Sequence, residues 1–451
     1  MKKRKHSKKF IDAVKKSIKL YKIILPCAFV FLLLLGFLVS LIIPLRPKFS
    51  EKEKRNLASF PSFSFSSLAD GSFFRGIDSW FSDTFPFREA MISANEKLEN
   101  LRGFGDKIYG LNNDVVNNSV PSAEEKPSEN ASETTSESTT AEEKEPTVPD
   151  QLGEVTQKLS NVVVVGDAGY EYCSFNKEIA DEYASLVNRT AQKLSGKANV
   201  YVMLVPTSID ITLSDSVRKG INTSDQKAGM EYIYSALSPS VKQVNIYKPL
   251  RMHRDEYIYY RTDHHWTALG AYYAYEEFAN VKGIKANSLS KFEKKSFGEF
   301  LGSFYTNTNN SSMKRNPDEL VAYMPPYKTT LRFTQTDGTV VDWFLVNDVS
   351  SYPVSQKYSA FTAGDNPYTV IENTSREKGK SCVIVKESFG NAVIPYIAGH
   401  YKTVYVVDYR YYKKGFVTLA EEVGASDVIF INNMSAVRNA DLIGRMNSIA
   451  V

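Results

Sequence analysis

Three of the five histidines in the 451-residue chain, His253, His264 and His265, fall within thirteen positions. The tightest group is Asp263-His264-His265-Trp266, which precedes an apolar stretch at 268–281 that reads as a helix. In an extended segment residues i and i+2 point the same way, so Asp263 and His265 are expected on one face, with His264 opposite. A carboxylate beside an imidazole can hold one ring nitrogen as donor and leave the other as a base. Asp and His are also metal ligands, but the adjacent histidines should diverge and no third and fourth ligand follows at a sensible spacing. No metal is therefore expected. A matching nucleophile is Ser388, in a segment that reads as strand, tight turn, helix, strand over 381–407. It lies two residues past a strand end, at the edge where open α/β sheets carry their sites. There its own N–H and a helix N-terminus would face a developing oxyanion. The segment alone leaves a plain alternative: Ser is a favoured N-cap, and a cap needs no reaction to explain it.

The elements that must position these groups begin near 159. Strands are expected at 161–165, 199–205, 241–247, 381–386, 403–407 and 428–431, with helices at 177–195, 268–281, 389–401 and 417–423. Strands separated by helices imply a mainly parallel sheet covered on both faces. Residues 290–375 break that rhythm with turn-rich strand signals, including a hairpin at Asp337-Gly338, and are expected as an insertion over one sheet edge. Upstream, 117–152 is dominated by Ser, Thr, Glu and Pro and offers almost nothing to bury, so it reads as a disordered insert. Residues 46–116 form a juxtamembrane segment, with two short helices around Pro86. The domain that follows spans 153–451.

The overall charge of +4 is unevenly distributed. Residues 1–22 hold ten Lys or Arg against Asp12, a net of +9, so the remainder carries −5. That leaves no basic surface for nucleic acid. Residues 23–45 are uncharged and apolar apart from Pro26, Gly36, Ser40 and Pro44, long enough to span a bilayer core of about 20 helical residues. The run exceeds the apolar core of a cleavable signal, and the basic tail before it assigns the N-terminus to the cytoplasm. Cys27 falls in this anchor. Cys173 and Cys382 lie beside core strands and are expected as buried thiols, with a disulfide between them as the alternative.

Asp263-His264-His265-Trp266 resembles the signature of the DHHW family, related to alginate O-acetyltransferase accessory proteins and to SGNH hydrolases. Other segments continue the resemblance in order: EKRNLASFP (53–61), FSDTFPFRE (81–89), VPTSID (205–210), GSFYTNT (302–308), FTAGDNPY (361–368), KESFGNAVIPYI (386–397) and VVDYRYY (406–412). Together they cover about 50–112 and 160–445.

The resemblance implies an SGNH-like three-layer α/β/α sandwich with a β-rich insertion, preceded by one transmembrane helix. It implies Ser388, His265 and Asp263 as a Ser-His-Asp triad, with Glu387 standing where many relatives have Asp. Gly364, Asn366, Tyr409 and Arg410 would line the pocket. Asn366 is either an oxyanion donor or a turn residue before Pro367, and Arg410 either binds substrate or pairs with Asp408. Trp266 is either structural or a sugar platform. The implied activity is O-acetyl transfer to an extracellular polysaccharide through an acetyl-enzyme, without a cofactor. A membrane-bound O-acyltransferase would supply acetyl groups. A carbohydrate acetylesterase would use the same triad with water, whereas a non-catalytic glycan-binding or assembly component would leave Ser388 a cap, far from His265.

The charge pattern generates a topology test. Protease added to intact cells should degrade the chain beyond about residue 46 and spare its N-terminus. Protection of the larger part would reverse the orientation.

Overall fold

The computed structural model describes residues 49–50, 55–57, 59–63, 68, 72–85, 145–148, 155–159 and 162–451. The basic tail, the apolar run at 23–45, the second juxtamembrane helix and most of the 117–152 insert lie outside them. No helix among the described residues is long and apolar enough to cross a membrane.

The chain divides into two compact units, Met1–Lys107 and Ile108–Val451. In the first, two-residue strands at Phe49–Ser50 and Arg55–Asn56 pair antiparallel. A helix at Ser72–Asp83 carries Phe73 and Trp80, both edge-to-face with Phe60 at 6.4 and 4.9 Å.

The second unit is built on one eight-stranded sheet. In chain order its strands are β1 (Asn199–Val205), β2 (Val241–Val244), β3 (Thr329–Thr334), β4 (Val340–Trp343), β5 (Tyr368–Asn373), β6 (Ser381–Lys386), β7 (Thr403–Asp408) and β8 (Asp427–Asn433). Across the sheet the order is β4-β3-β5-β7-β6-β8-β1-β2. β7, β6, β8, β1 and β2 are parallel, and β6 and β8 are buried almost throughout, as Val- and Ile-rich strands covered on both faces must be. One face is covered by α3 (Ala268–Lys282) and α4 (Gly390–Ile397). The other is covered by α1 (Lys177–Lys193), α2 (Gln226–Ser235), α5 (Phe416–Glu422) and α6 (Ala440–Ser448). α3 starts where the Thr267 hydroxyl accepts the Gly270 N–H at 3.3 Å.

Three expectations change. The 290–375 segment is only in part a separate insertion: Glu293–Phe300 and Asp318–Met324 pair in a two-stranded sheet of their own, and the rest joins the main sheet. Its hairpin β3–β4, turned at Gly338 with φ 89°, and β5 extend the sheet, with β5 antiparallel to β7 from Tyr368↔Val407 to Glu372↔Thr403. The N–H and C=O groups that would otherwise line a bare parallel edge are thereby paired. The strand expected at 161–165 is Val162–Val165, and it sits in a separate three-stranded antiparallel sheet with Val155–Leu159 and Ala168–Glu171. Within the insert, residues 145–148 are described, and Glu145 accepts from Arg251 Nε and Nη2 at 2.9 and 2.7 Å. That charge-assisted contact ties the end of the segment to the folded unit.

Cys173 and Cys382 are both free and buried. Burial pushes the Cys173 thiol up to about 12 and raises Cys382 well above the ordinary thiol value. Iodoacetamide at pH 8 should therefore leave both unlabelled in the folded protein and label both after denaturation, read by mass. Rapid native labelling of either would contradict the packing.

Candidate functional site

Asp263, His264 and His265 sit in an irregular loop between Tyr259 and Trp266, which pair in an isolated β-bridge. The loop is not extended. Asp263 Oδ1 accepts the backbone N–H of His265 at 3.0 Å, two residues on, closing an Asx turn. The same oxygen bonds His265 Nδ1 at 2.6 Å. Asp263 and His265 thus meet as expected, though through a turn rather than strand alternation. The turn also overturns the divergence expected of the histidines, whose ring centroids are 3.8 Å apart.

A second carboxylate holds this loop. Asp318 Oδ2 accepts Thr262 N and Oγ1 at 2.8 and 2.6 Å, and its Oδ1 accepts the Arg261 N–H and the Tyr257 hydroxyl. On the far side, Asp263 Oδ2 accepts the Ser303 N–H at 2.7 Å. Gly302 is required by this approach, since a Cβ there would lie 2.2 Å from the Asp263 Cβ and Oδ2. Burial would raise the Asp263 carboxyl. The imidazoles of His265 and His264, with the bonds from His265 and Ser303, instead hold it far below the usual carboxylate range.

An ionised Asp263 accepts, so Nδ1 of His265 carries the proton and Nε2 is the acceptor. That nitrogen is 2.7 Å from Ser388 Oγ, the geometry of a hydroxyl donating to a base. Ser388 is 8% exposed and His265 6%. The Tyr358 ring lies flat against His265, with centroids 3.8 Å apart and planes 10° apart, which fixes the imidazole plane. The N-cap of α4 is Phe389, with no side-chain capping bond, so the Ser388 hydroxyl does not cap the helix.

Glu387 supports the turn that carries Ser388. Its Oε2 accepts the Phe389 N–H at 3.0 Å, and its Oε1 accepts the Asn433 N–H, at the end of β8, at 2.9 Å. Burial lifts its carboxyl above the usual range, although Arg410 and the two N–H bonds oppose the shift. Trp266 is fully buried and donates its Nε1 to the Phe389 carbonyl at 3.0 Å, tying the histidine loop to the Ser388 turn. It therefore cannot serve as a sugar platform.

The remaining expected residues divide. Tyr409 is buried in the helix-covered core opposite α3, so it does not line a pocket. Asn366 donates Nδ2 to Ala363 O at 2.9 Å, the behaviour of a turn residue. Gly364 has φ 75° and follows Thr362 and Ala363, also left-handed at 54° and 58°. A β-branched residue there is strained. It is held by its N–H on Leu345 O at 2.9 Å and its hydroxyl on Asn391 O at 2.9 Å. This loop delivers Asp365, which accepts Asn391 Nδ2 at 2.9 Å and pairs with Lys386 at 3.2 Å. Arg410 pairs with Asp408 at 2.6 Å and with Asp365 at 2.9 Å.

The donor atoms of Asp263, His264 and His265 lie within 4.8 Å of one another, so the three could hold a cation only by giving up existing bonds. His264 Nδ1 is 2.6 Å from Ser303 Oγ, and His265 Nδ1 is held by Asp263.

Sequence reasoning missed Ser303, Asp318, Tyr358 and Lys386 as partners of the site. Gly302, Ser303 and Lys386 lay in segments already singled out. Asp318 and Tyr358 carried no local signal.

The family described as "DHHW protein" matches residues 53–143 and 126–407. No curated protein matches the sequence. Among solved structures, a DHHW family protein from Eubacterium siraeum is 28% identical with a TM-score of 0.58, over 64% of this chain and 95% of that one. Bacillus cereus PatB1 is 19% identical with a TM-score of 0.54, over 62% of this chain and 98% of PatB1. PatB1 with a sulfonyl adduct is 17% identical with a TM-score of 0.54, over 64% and 98%. At these identities the PatB1 matches bear on the fold alone.

Glu387→Gln should lower stability by about 1–3 kcal/mol, seen as a fall in Tm, because the amide NH2 must face one of two buried N–H donors. An unchanged Tm would remove Glu387 from the support of this turn.

Proposed function

Because the chain belongs to the DHHW family, we propose that it transfers O-acetyl groups to an extracellular polysaccharide. Ser388 is the nucleophile, His265 the base and Asp263 the carboxylate that orients it. The observation that carries this reading is the 2.7 Å contact between Ser388 Oγ and His265 Nε2, backed by the 2.6 Å bond from His265 Nδ1 to Asp263. A capping serine remote from His265, as a purely glycan-binding or assembly component requires, does not fit that contact. Helices on both sheet faces and a nucleophile just past β6 support an SGNH-like three-layer sandwich.

In the first half-reaction His265 Nε2 takes the Ser388 proton as Oγ attacks the carbonyl carbon of an acetyl donor. The tetrahedral oxyanion collapses, the bond to the leaving group breaks, and His265 returns the proton to that group. In the second half-reaction His265 removes a proton from a glycan hydroxyl, whose oxygen attacks the acetyl carbon. Ser388 leaves and recovers the proton. The N–H groups of Phe389, Gly390 and Asn391 are taken by Glu387 Oε2, Glu387 O and Ser388 O. An oxyanion donor from this turn is therefore the N–H of Ser388 itself.

The apolar run at 23–45 would anchor the protein, with the catalytic unit outside the cell. Acetyl-CoA is absent there, so a membrane-bound O-acyltransferase supplies the acetyl group. The acetylesterase alternative shares the first half-reaction and ends with water.

Ser388→Ala or His265→Ala should reduce p-nitrophenol release from p-nitrophenyl acetate by up to about a millionfold. Asp263→Asn should cost about 10⁴-fold by favouring the wrong tautomer. His264→Ala should cost less than about tenfold, because that ring bonds Ser303 and stands outside the Asp263–His265–Ser388 chain of contacts. A sulfonyl fluoride should add one sulfonyl group to the parent and none to Ser388→Ala, measured by intact mass. Full activity in folded Ser388→Ala would overturn the assignment.

A further inference from the structure

β6 and β7 are adjacent and parallel, in a register that pairs Lys386 with Asp408. Neighbouring strands lie about 4.8 Å apart, so the loops that leave them start side by side at one sheet edge. The first carries Ser388 and the second carries Arg410 and Tyr411. Tyr411 is 39% exposed, unlike the buried Tyr409 two residues before it. The Arg410 guanidinium lies 5.3 Å from the Tyr411 ring centroid and backs it. Arg410 uses Nε on Asp408, and Nη2 on Asp408 and Asp365, which leaves Nη1 to donate. The Asp365 side chain is 32% exposed on this rim, and its Oδ1 accepts from Asn391, three residues past the nucleophile. His265 is among the charges that hold the Asp365 carboxyl low, after Arg410 and Lys386 have opposed the effect of burial.

An exposed tyrosine alone carries nothing. Here an exposed aromatic face, a partly exposed carboxylate and an unused guanidinium N–H converge beside the nucleophile turn. The charges decide the ligand class. Lys386 and Arg410 are matched by Asp365 and Asp408, so this four-residue cluster offers no net positive charge to a uronate or a phosphate.

Building on the acyl-transfer reading, we infer that Tyr411, Asp365 and Arg410 form the acceptor subsite and take a neutral pyranose. The C–H face of the sugar lies on the Tyr411 ring. Vicinal hydroxyls donate to Asp365 and accept from Arg410 Nη1. A hydroxyl of the same or the adjoining sugar then reaches the acetyl group on Ser388.

The test uses the full-length protein, p-nitrophenyl acetate as donor and cellohexaose as acceptor, with acetylated oligosaccharide measured by mass spectrometry. Tyr411→Ala should lower transfer at least tenfold more than it lowers p-nitrophenol release, and raise the acceptor KM. Tyr411→Phe, which keeps the ring, should restore at least half the transfer. Hexagalacturonate should be the poorer acceptor, and transfer to cellohexaose should vary little between 50 and 500 mM salt. The subsite is overturned if Tyr411→Ala lowers both rates equally or neither, if Tyr411→Phe fails as Ala does, or if the uronate is preferred. It also falls if the parent releases p-nitrophenol yet acetylates no cellohexaose. If the parent releases no p-nitrophenol and a sulfonyl fluoride leaves Ser388 unmodified, the underlying acyl-transfer reading falls instead.

Discussion

The buried charge of Asp263 is the constraint around which this site is arranged. A carboxylate removed from water is costly unless donors and an opposite charge surround it. Asp263 collects the His265 N–H and Nδ1–H on one oxygen and the Ser303 N–H on the other. Each of those bonds dictates something further away. The bond to the His265 N–H forces the Asx turn. The bond to Ser303 brings the start of the helix Ser303–Thr308 so close that only glycine fits at 302. Asp318 then fixes the preceding residues, because a turn holding such a charge could not relax without losing its donors.

The sheet contributes position, and the inserted strands contribute walls. The parallel strands bring Ser388 and Arg410 to the same edge, and β5 seals the open flank of β7. The segment running up to β5 carries Tyr358 against His265 and Asp365 against Asn391. The insertion thus completes the site as well as extending the sheet. The strain at Thr362 and Ala363 lies between those two contacts, where the chain must turn sharply to make both.

Much of this was legible in the sequence, and the reasons are particular. The strand at 199–205 and the strand at 381–386 were readable to the residue, because parallel strands covered on both faces are continuous apolar runs between turn residues. Asp263, His265 and Ser388 stood out through residue type and through Ser388's place past a strand end. The turn geometry that joins Asp263 to His265 was not legible, because side-chain to backbone bonding competes with strand alternation and leaves no periodicity. Tyr409 was misassigned and Trp266 was left between two readings for one reason: an aromatic residue beside a motif looks the same in sequence whether it faces solvent or core. Asp318 and Tyr358 reach the loop from 50 or more residues away, and a single sequence has no signal for such contacts.

Two buried carboxyls are tied to the Ser388 hydroxyl, Asp263 through His265 and Glu387 directly, and their surroundings push them in opposite directions. Asp263 is driven down by imidazole and N–H partners, whereas burial drives Glu387 up. Their bonds give them different relations to that hydroxyl. Asp263 bonds the Nδ1–H of an imidazole whose other nitrogen is free to accept. Glu387 has each oxygen committed to a backbone N–H, and its distance to Ser388 Oγ is 3.4 Å against 2.7 Å for His265 Nε2. To accept the serine proton, Glu387 would have to release the Phe389 N–H and so loosen the turn that holds Ser388 at the sheet edge. The nearer, uncommitted acceptor is the one to which the Ser388 hydroxyl donates, and the committed one keeps that hydroxyl within its reach.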